Sequence, residues 1–294
     1  MLVLGGSGFV GRHAVLSLLR DGADVIVGTR RPGHVSGRLP GAAADCPQRE
    51  VHLDKLLEPD DWQPLIDDVD VVLNCVGILR QRGRETYARV HTRAPAALAE
   101  ACAARDKRLV HVSALGLHAG AGSRFLTSKL AGEEGIRARG DDWIIARPSL
   151  LDGEGGFGAW WLRRISRLPA FFAPVGADGR IAALDVGDLG DALSRLCRAD
   201  PDVLRLGHSR EFDLGGTTHY VFRDYVQALR RRHTDTPAIC IPVPALLARA
   251  FAHFCDVIHF TPFSYGHWEL LRRDNVPEDN RLPELLRREP KKVA

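Results

Sequence analysis

The sequence predicts an α/β fold: a doubly wound parallel sheet followed by a smaller, mostly helical C-terminal lobe. Three observations carry this. Short β-rich runs alternate with helical stretches over residues 1–150. The runs are continuously apolar, as strands covered on both faces are. Regular strand–helix alternation is the signature of parallel sheets built from crossover units.

Taken in order, residues 2–4 (Leu-Val-Leu) predict the first strand. Residues 9–20 predict the first helix, with Val10, Ala14 and Leu18 on one face. Further strands are expected at 24–28, 50–53, 70–76, 109–113 and 143–147, with helices over 84–105 and 123–139. After Pro148 the pattern changes. A loop at 152–156 leads into an apolar stretch holding Trp160, Trp161, Phe171 and Phe172. Helices are expected near Asp188 and Arg223, and Pro242-Val243-Pro244 opens an apolar helix reaching about Ile258. The Pro-containing basic tail, with Lys291 and Lys292, is expected to be loosely held.

Composition narrows the function classes. The 294 residues can bury a sizeable core without disulfides or metals. Forty basic against 37 acidic residues leave a net charge of +3, too balanced for nucleic acid as the main ligand. Thirty-five of the basic residues are Arg and five are Lys, so an individual Lys is the more informative residue. Six Cys with no C-x-x-C pair predict reduced thiols, and the twelve His show no metal spacing, so no metal site is expected. Met1-Leu2-Val3-Leu4 runs straight into a glycine turn, which does not fit a signal peptide. No uncharged apolar run reaches the ~18 residues of a membrane span. The expectation is a cytoplasmic protein or one peripheral to the inner membrane.

The turn Gly5-Gly6-Ser7-Gly8-Phe9-Val10-Gly11 is the sharpest local signal. It follows a strand and opens a helix, where glycines at 5, 8 and 11 allow a tight turn and close backbone approach to a pyrophosphate. Amides at the helix N-terminus would face its charge. The reading is a Rossmann-like dinucleotide-binding domain over 1–150 and a substrate or lid lobe over 151–294. The second strand ends Gly28-Thr29-Arg30-Arg31, without the carboxylate that usually holds the ribose of NAD. Arg30 is suited to a 2′-phosphate, so NADP(H) is expected over NAD(H).

Later stretches extend the pattern. Asp54, Asn74-Cys75-Val76-Gly77, Ser113, Ser128-Lys129 and Arg147-Pro148 follow in one order. The chain resembles the short-chain dehydrogenase/reductase superfamily in its extended or atypical branch, over most of its length. Ile241-Pro242-Val243-Pro244 and residues 269–276 (Glu-Leu-Leu-Arg-Arg-Asp-Asn-Val) are similar to the family of the dinucleotide-binding accessory subunit of respiratory complex I and its bacterial relatives. The resemblance implies that Gly5, Gly8, Phe9, Val10, Gly11 and Arg30 hold the phosphates and that Asp54 meets the adenine. It implies Val76 and Gly77 beside the ribose, Lys129 on the nicotinamide ribose hydroxyls, and Pro148 and Ser149 near the carboxamide.

The superfamily's reaction centre is a Ser followed by Tyr-x-x-x-Lys, with Tyr and Lys on one helix face. Here Phe125-Leu126-Thr127-Ser128-Lys129 keeps Lys129, and Ser113 is the candidate serine, but Phe125 stands where the Tyr belongs. A benzyl ring has no proton to exchange, and a general acid–base group at that place contributes about 10²–10⁴-fold. The expected function is NADP(H) binding by an atypical short-chain dehydrogenase/reductase-like protein that lacks the usual Tyr and is tied to respiratory-chain or quinone metabolism. Binding without turnover, as a structural or sensing subunit, is weighted above catalysis. The alternatives are a reductase or nucleotide-sugar epimerase-like enzyme with a substitute base (Lys129 itself, Tyr87 or Thr127), hydride transfer to a quinone or flavin, and a redox sensor acting through a protein partner. The Trp160–Phe172 stretch and the helix after Pro244 are read as lid and core, with membrane contact as the alternative.

Overall fold

The computed structural model describes residues 1–35, 39–198, 201–206, 210–258 and 261–294. Strands β1 (Leu2–Leu4), β2 (Ile26–Thr29), β3 (Gln48–Glu50), β4 (Val71–Asn74), β5 (Arg108–Val112) and β6 (Trp143–Pro148) alternate with helices α1 (Phe9–Arg20), α2 (Pro59–Ile66), α3 (Ala94–Ala103) and α4 (Arg124–Arg137). Beyond them come β7 (Leu151–Asp152), α5 (Phe157–Ser166), β8 (Ala170–Pro174), β9 (Arg180–Ile181), β10 (Leu184–Asp185), α6 (Val186–Cys197) and α7 (Pro201–Leu204). The chain continues through β11 (Glu211–Leu214), β12 (Tyr220–Val221), α8 (Phe222–Arg231), β13 (Ile239–Val243), α9 (Ala245–Ile258), α10 (Tyr265–Leu270) and α11 (Leu282–Leu286).

The main sheet runs β11-β6-β5-β4-β1-β2-β3, with every pair parallel. Successive side chains on a strand point to opposite faces. Leu2, Leu4, Val72, Leu109 and Ile145 therefore pack on one side, against Leu98 of α3 and Ile136 of α4. Val3, Leu73, Val110 and Ile144 pack on the other, with Leu18 of α1 and Leu193 of α6. This two-sided burial is why the strands read as unbroken apolar runs. The strand order reverses between β1 and β4, and the crevice above that switch point is where such sheets take ligands.

Several expectations shift. The third strand was expected over 50–53 but lies at Gln48–Glu50; Val51 and Leu53 are apolar because they dip into the core from the following loop. The helix expected over 84–105 begins with a wide π-helical turn, Ala88–Arg93, before α3. Pro95, which has no N–H to give, sits just past that turn. The C-terminal half is not confined to its own lobe. β11 is the seventh strand of the main sheet, and α6 packs along α1, with Ser17 Oγ donating to Asp191 Oδ1 at 2.7 Å. Short strands also run through the lobe, β8 pairing with β13 and β9 with β12.

The tail is not loose. Asp188 is fully buried at the start of α6 and draws it in. Arg288 Nη2 lies 2.7 Å from its carboxylate, and the Lys291 backbone N–H donates to Oδ2 at 2.6 Å. Val293 is buried, and Tyr220 donates its hydroxyl to the Ala294 carbonyl. An uncompensated buried carboxylate would be expensive, so the basic tail is recruited to it.

Candidate cofactor and active site

The glycine turn sits at the C-terminal end of β1. Gly5 has φ +71°, a conformation that L side chains rarely adopt. A Cβ on Gly11 would lie 2.2 Å from the Gly5 carbonyl oxygen, so only glycine lets α1 start this close to the turn. No side chain caps the N-terminus of α1. The amides of Phe9 and Val10 lie at that uncapped end and would supply an anion cradle, a backbone shape that fits a pyrophosphate. The loop after β7 closes over it. Arg12 donates to the Glu154 carbonyl, and a Cβ on Gly156 would meet the Phe9 ring at 2.6 Å. The Phe9 side chain thus supports the loop, while its backbone belongs to the cradle.

Around the turn the other expected cofactor residues take up positions of two kinds. Asp54 is buried beyond β3, with the Arg84 guanidinium 3.9 Å from its carboxylate and Arg89 bonded to its carbonyl. Val76 and Gly77 follow β4, directly across from Gly5, where a Cβ on Gly5 would touch Val76 at 3.0 Å. Pro148 ends β6 in the core. Arg30, at the end of β2, is 62% exposed and carries an ion pair to Glu85. Its guanidinium is therefore shared with a carboxylate that a 2′-phosphate would have to displace or offset. The Ser149 hydroxyl donates to Asn275, at 2.7 Å to the carbonyl and 2.6 Å to Oδ1 as alternative acceptors. Asn275 Nδ2 in turn donates to the Leu115 carbonyl. The sequence reading named Asn275 only within a C-terminal likeness; here it staples that segment onto the ends of β5 and β6.

Lys129 is mostly covered, and no hydrogen bond or ion pair holds its ammonium among the described residues. A Cβ on Gly77 would be 3.9 Å from its Nζ, which places the amine at the mouth of the switch-point crevice. Burial pushes its pKa down from 10.5 to about 8, with Glu133 pulling weakly the other way. Phe125, one turn earlier, is packed edge-on by Tyr87 and His91 at 6.0 and 5.6 Å between ring centres, and His267 stacks on it at 6.2 Å. Lys129 Nζ lies 6.0 Å from the same ring.

Most of the neighbouring polar groups are committed elsewhere. Tyr87 donates to the Leu79 carbonyl at 2.8 Å and Thr127 to the Ser123 carbonyl at 3.1 Å. His91 accepts from the Ile78 N–H and contacts Ser128 Oγ at 3.0 Å; burial holds its pKa well below the usual imidazole range. His111 meets Asn74 at 3.1 Å, and its pKa is pushed down to about 3 by burial and then by Lys129. Both are neutral structural histidines. Ser113 Oγ is enclosed and completes no hydrogen bond, though its nearness helps keep Glu133 ionised.

Glu133, one turn beyond Lys129, is fully buried and paired. Arg147 of β6 and Arg137 of α4 each reach it at 2.7 Å, and both arginines also reach Glu211 of β11 at 2.6 Å. This network clamps α4, and with it Lys129, to the sheet. His267 escaped the sequence reading because no local spacing links it to Phe125. Its Nδ1 is 2.6 Å from Ser264 Oγ, and burial lowers its pKa to about 4.

Residues 1–158 match the NAD dependent epimerase/dehydratase family, which is more than half of the chain. The chain belongs to that family. The epimerase/dehydratase match spans β1 through β7 and so covers the glycine turn, Gly77, Phe125 and Lys129. The chain is 28% identical to the ceramide reductase of Caulobacter vibrioides, over 96% of this chain and 87% of that one. It is 24% identical to the mitochondrial NADH-ubiquinone oxidoreductase 40 kDa subunit of Neurospora crassa, over 84% and 66%. In fold it is similar to the NADPH-dependent quinone oxidoreductase QOR2 of Escherichia coli, solved with NADPH. That likeness has a TM-score of 0.73 at 14% identity and covers 100% of this chain and 96% of the other. Among the described residues, no helix is long and apolar enough to cross a membrane.

Proposed function

We propose that this epimerase/dehydratase family member is an NADPH-dependent reductase of an apolar carbonyl compound, with Lys129 as the proton donor in place of the missing tyrosine. The observation that carries it is the Lys129 amine: mostly covered, unpaired, beside Gly77, with a pKa of about 8. An acid works best when its pKa lies near the working pH. A reduced nicotinamide supplies hydride when bound. Lys129 gives a proton to the substrate's carbonyl oxygen and is recharged from solvent. The uncapped start of α1 binds the pyrophosphate, and Arg30, relieved of part of its Glu85 contact, selects the 2′-phosphate. The likeness to a ceramide reductase over nearly the whole chain supports a long-chain lipid carbonyl as substrate.

A second reading is cofactor binding without turnover, in a respiratory assembly. The packing of Phe125 by three rings favours it, as does the likeness to the 40 kDa subunit.

The test begins with fluorescence titrations of NADPH and NADH. NADPH oxidation is then followed with a panel of long-chain ketones, including keto forms of ceramide-type lipids. Turnover that falls by ~10²-fold or more in Lys129→Met, with NADPH binding kept, supports the reductase. Tight NADPH binding with no turnover across the panel refutes it and favours the second reading. Binding of neither cofactor would refute both.

A further inference from the structure

The large apolar side chains left in water are not scattered. Every strongly exposed one among the described residues lies between residues 157 and 258, in the C-terminal lobe. Helix α9 is turned inside out. Its buried residues are small (Ala248, Ala252 and Cys255), whereas Leu246 and Val257 are 76% and 78% exposed. An ordinary surface helix does the reverse and points its large apolar residues at the core.

The strand leading into α9 repeats the inversion. β13 and β8 form a two-stranded parallel ribbon with Ile241 opposite Phe172. Phe171 and Ala173 face inward, while Phe172 and Ile239 are 68% and 69% exposed. The Ile239 N–H bonds to the Pro169 carbonyl, so exposed Leu168 continues the same edge. Single exposed apolar residues need no explanation, but a run across a ribbon and a helix does.

The charges on these elements are almost all positive. No carboxylate pairs with Arg164, Arg167 or Arg249 among the described residues. Arg164 and Arg249 lie over the rings of Trp160 and Tyr265. The only acid in α5, β8, β13 or α9 is Asp256, whose carboxylate accepts the Tyr265 N–H and sits 3.6 Å from Arg80. Leucine, isoleucine and valine beside aromatic rings and unpaired guanidiniums match the acyl–headgroup boundary of an anionic lipid surface.

We propose that the β8–β13 ribbon and α9 form a docking face for an anionic membrane surface. α9 and β13 insert their apolar side chains among the acyl chains, and Arg164, Arg167 and Arg249 engage the headgroups. The face is tied to the active site. Arg80, three residues after Gly77, donates to the Thr261 and Phe263 carbonyls at 2.6 and 2.7 Å. α10, which follows, carries His267 onto Phe125. A docked molecule would thus hold its crevice close to the lipid that supplies an apolar substrate. The docking itself does not require the reaction, so its test reads binding alone.

The full-length protein is floated with vesicles of phosphatidylcholine alone and with phosphatidylglycerol added, at low and high salt. The expected result is flotation with the anionic vesicles only, weakened by salt and by the double variant Arg164→Gln/Arg167→Gln. Leu246→Glu/Val257→Glu should cut partitioning on the order of tenfold or more. Both positions face solvent, so circular dichroism and NADPH binding should match the parent protein. Failure of the parent protein to float overturns the proposal, as does equal flotation of the Leu246→Glu/Val257→Glu variant. A parent dimer that this variant converts to monomers, with no vesicle binding by either, assigns the face to self-association and equally overturns it.

Discussion

Replacing Lys129 by Met should make the protein more stable at neutral pH, and the gain should fade in alkali. The Lys129 pKa falls from 10.5 in the open chain to about 8 in the fold, first because burial strips water from the ammonium. Each tenfold loss of proton affinity is ~1.4 kcal/mol, so the charged amine costs the fold at most roughly 3 kcal/mol. Part of the side chain stays in contact with solvent, and about half of that is the better figure. The sign follows from proton counting. Between pH 8 and 10.5 the unfolded chain binds the proton more tightly than the fold does, so stability rises with pH across that window. Below it the full penalty remains. Lys129→Met, which keeps the length without the charge, should raise the melting temperature by about 3 °C at pH 7. The gap between variant and parent should close as pH passes from 8 towards 10.5. Paired calorimetric scans at both ends of the window test this. A variant that melts no higher than the parent at pH 7, with a gap that does not change with pH, would refute the argument that the amine is held desolvated.

Four further outcomes follow from named contacts. Gly11→Ala places a methyl group against the Gly5 carbonyl, so titration should show NADPH affinity reduced on the order of tenfold or more, with the melting temperature also lowered. Glu133→Ala leaves Arg137 and Arg147 facing a vacated buried site and should cost about 3–5 kcal/mol in urea unfolding; a loss under about 1 kcal/mol would mean the network is solvated. Arg30→Ala should weaken NADPH but not NADH, and Glu85→Gln, which frees the Arg30 guanidinium, should widen the preference for NADPH; parallel titrations that stay level would remove Arg30 as selector. Phe125→Tyr introduces a hydroxyl one turn from Lys129 and should raise ketone reduction measured as NADPH oxidation, since the ring already lies 6.0 Å from Nζ.

Local chemistry is legible in a sequence because its partners are a few residues apart. β1, the glycine turn and α1 were expected at their observed positions, since strand, turn and helix start are each decided by neighbours. The double-sided sheet was legible from unbroken apolar runs. Burial was the confounder. Val51 and Leu53 looked like strand because loop residues plugging a core carry the same letters.

Only the tertiary structure decided the rest. Nothing near Asp188 in the chain announces that Arg288 and Lys291, a hundred residues on, will dock on it and fasten a tail that reads as loose. β11 joined the sheet, and β8 met β13, through pairings that span many tens of residues. His267 came to rest on Phe125 in the same way. α9 reads as a core helix by its letters, yet packing turned its alanines inward and its leucines out. Periodicity states that a helix has a face; which face is buried depends on what the rest of the chain places beside it. The Lys129 pKa belongs to the same class. Its letter is an ordinary lysine, and only the fold around it removes the water that would keep its proton tightly bound.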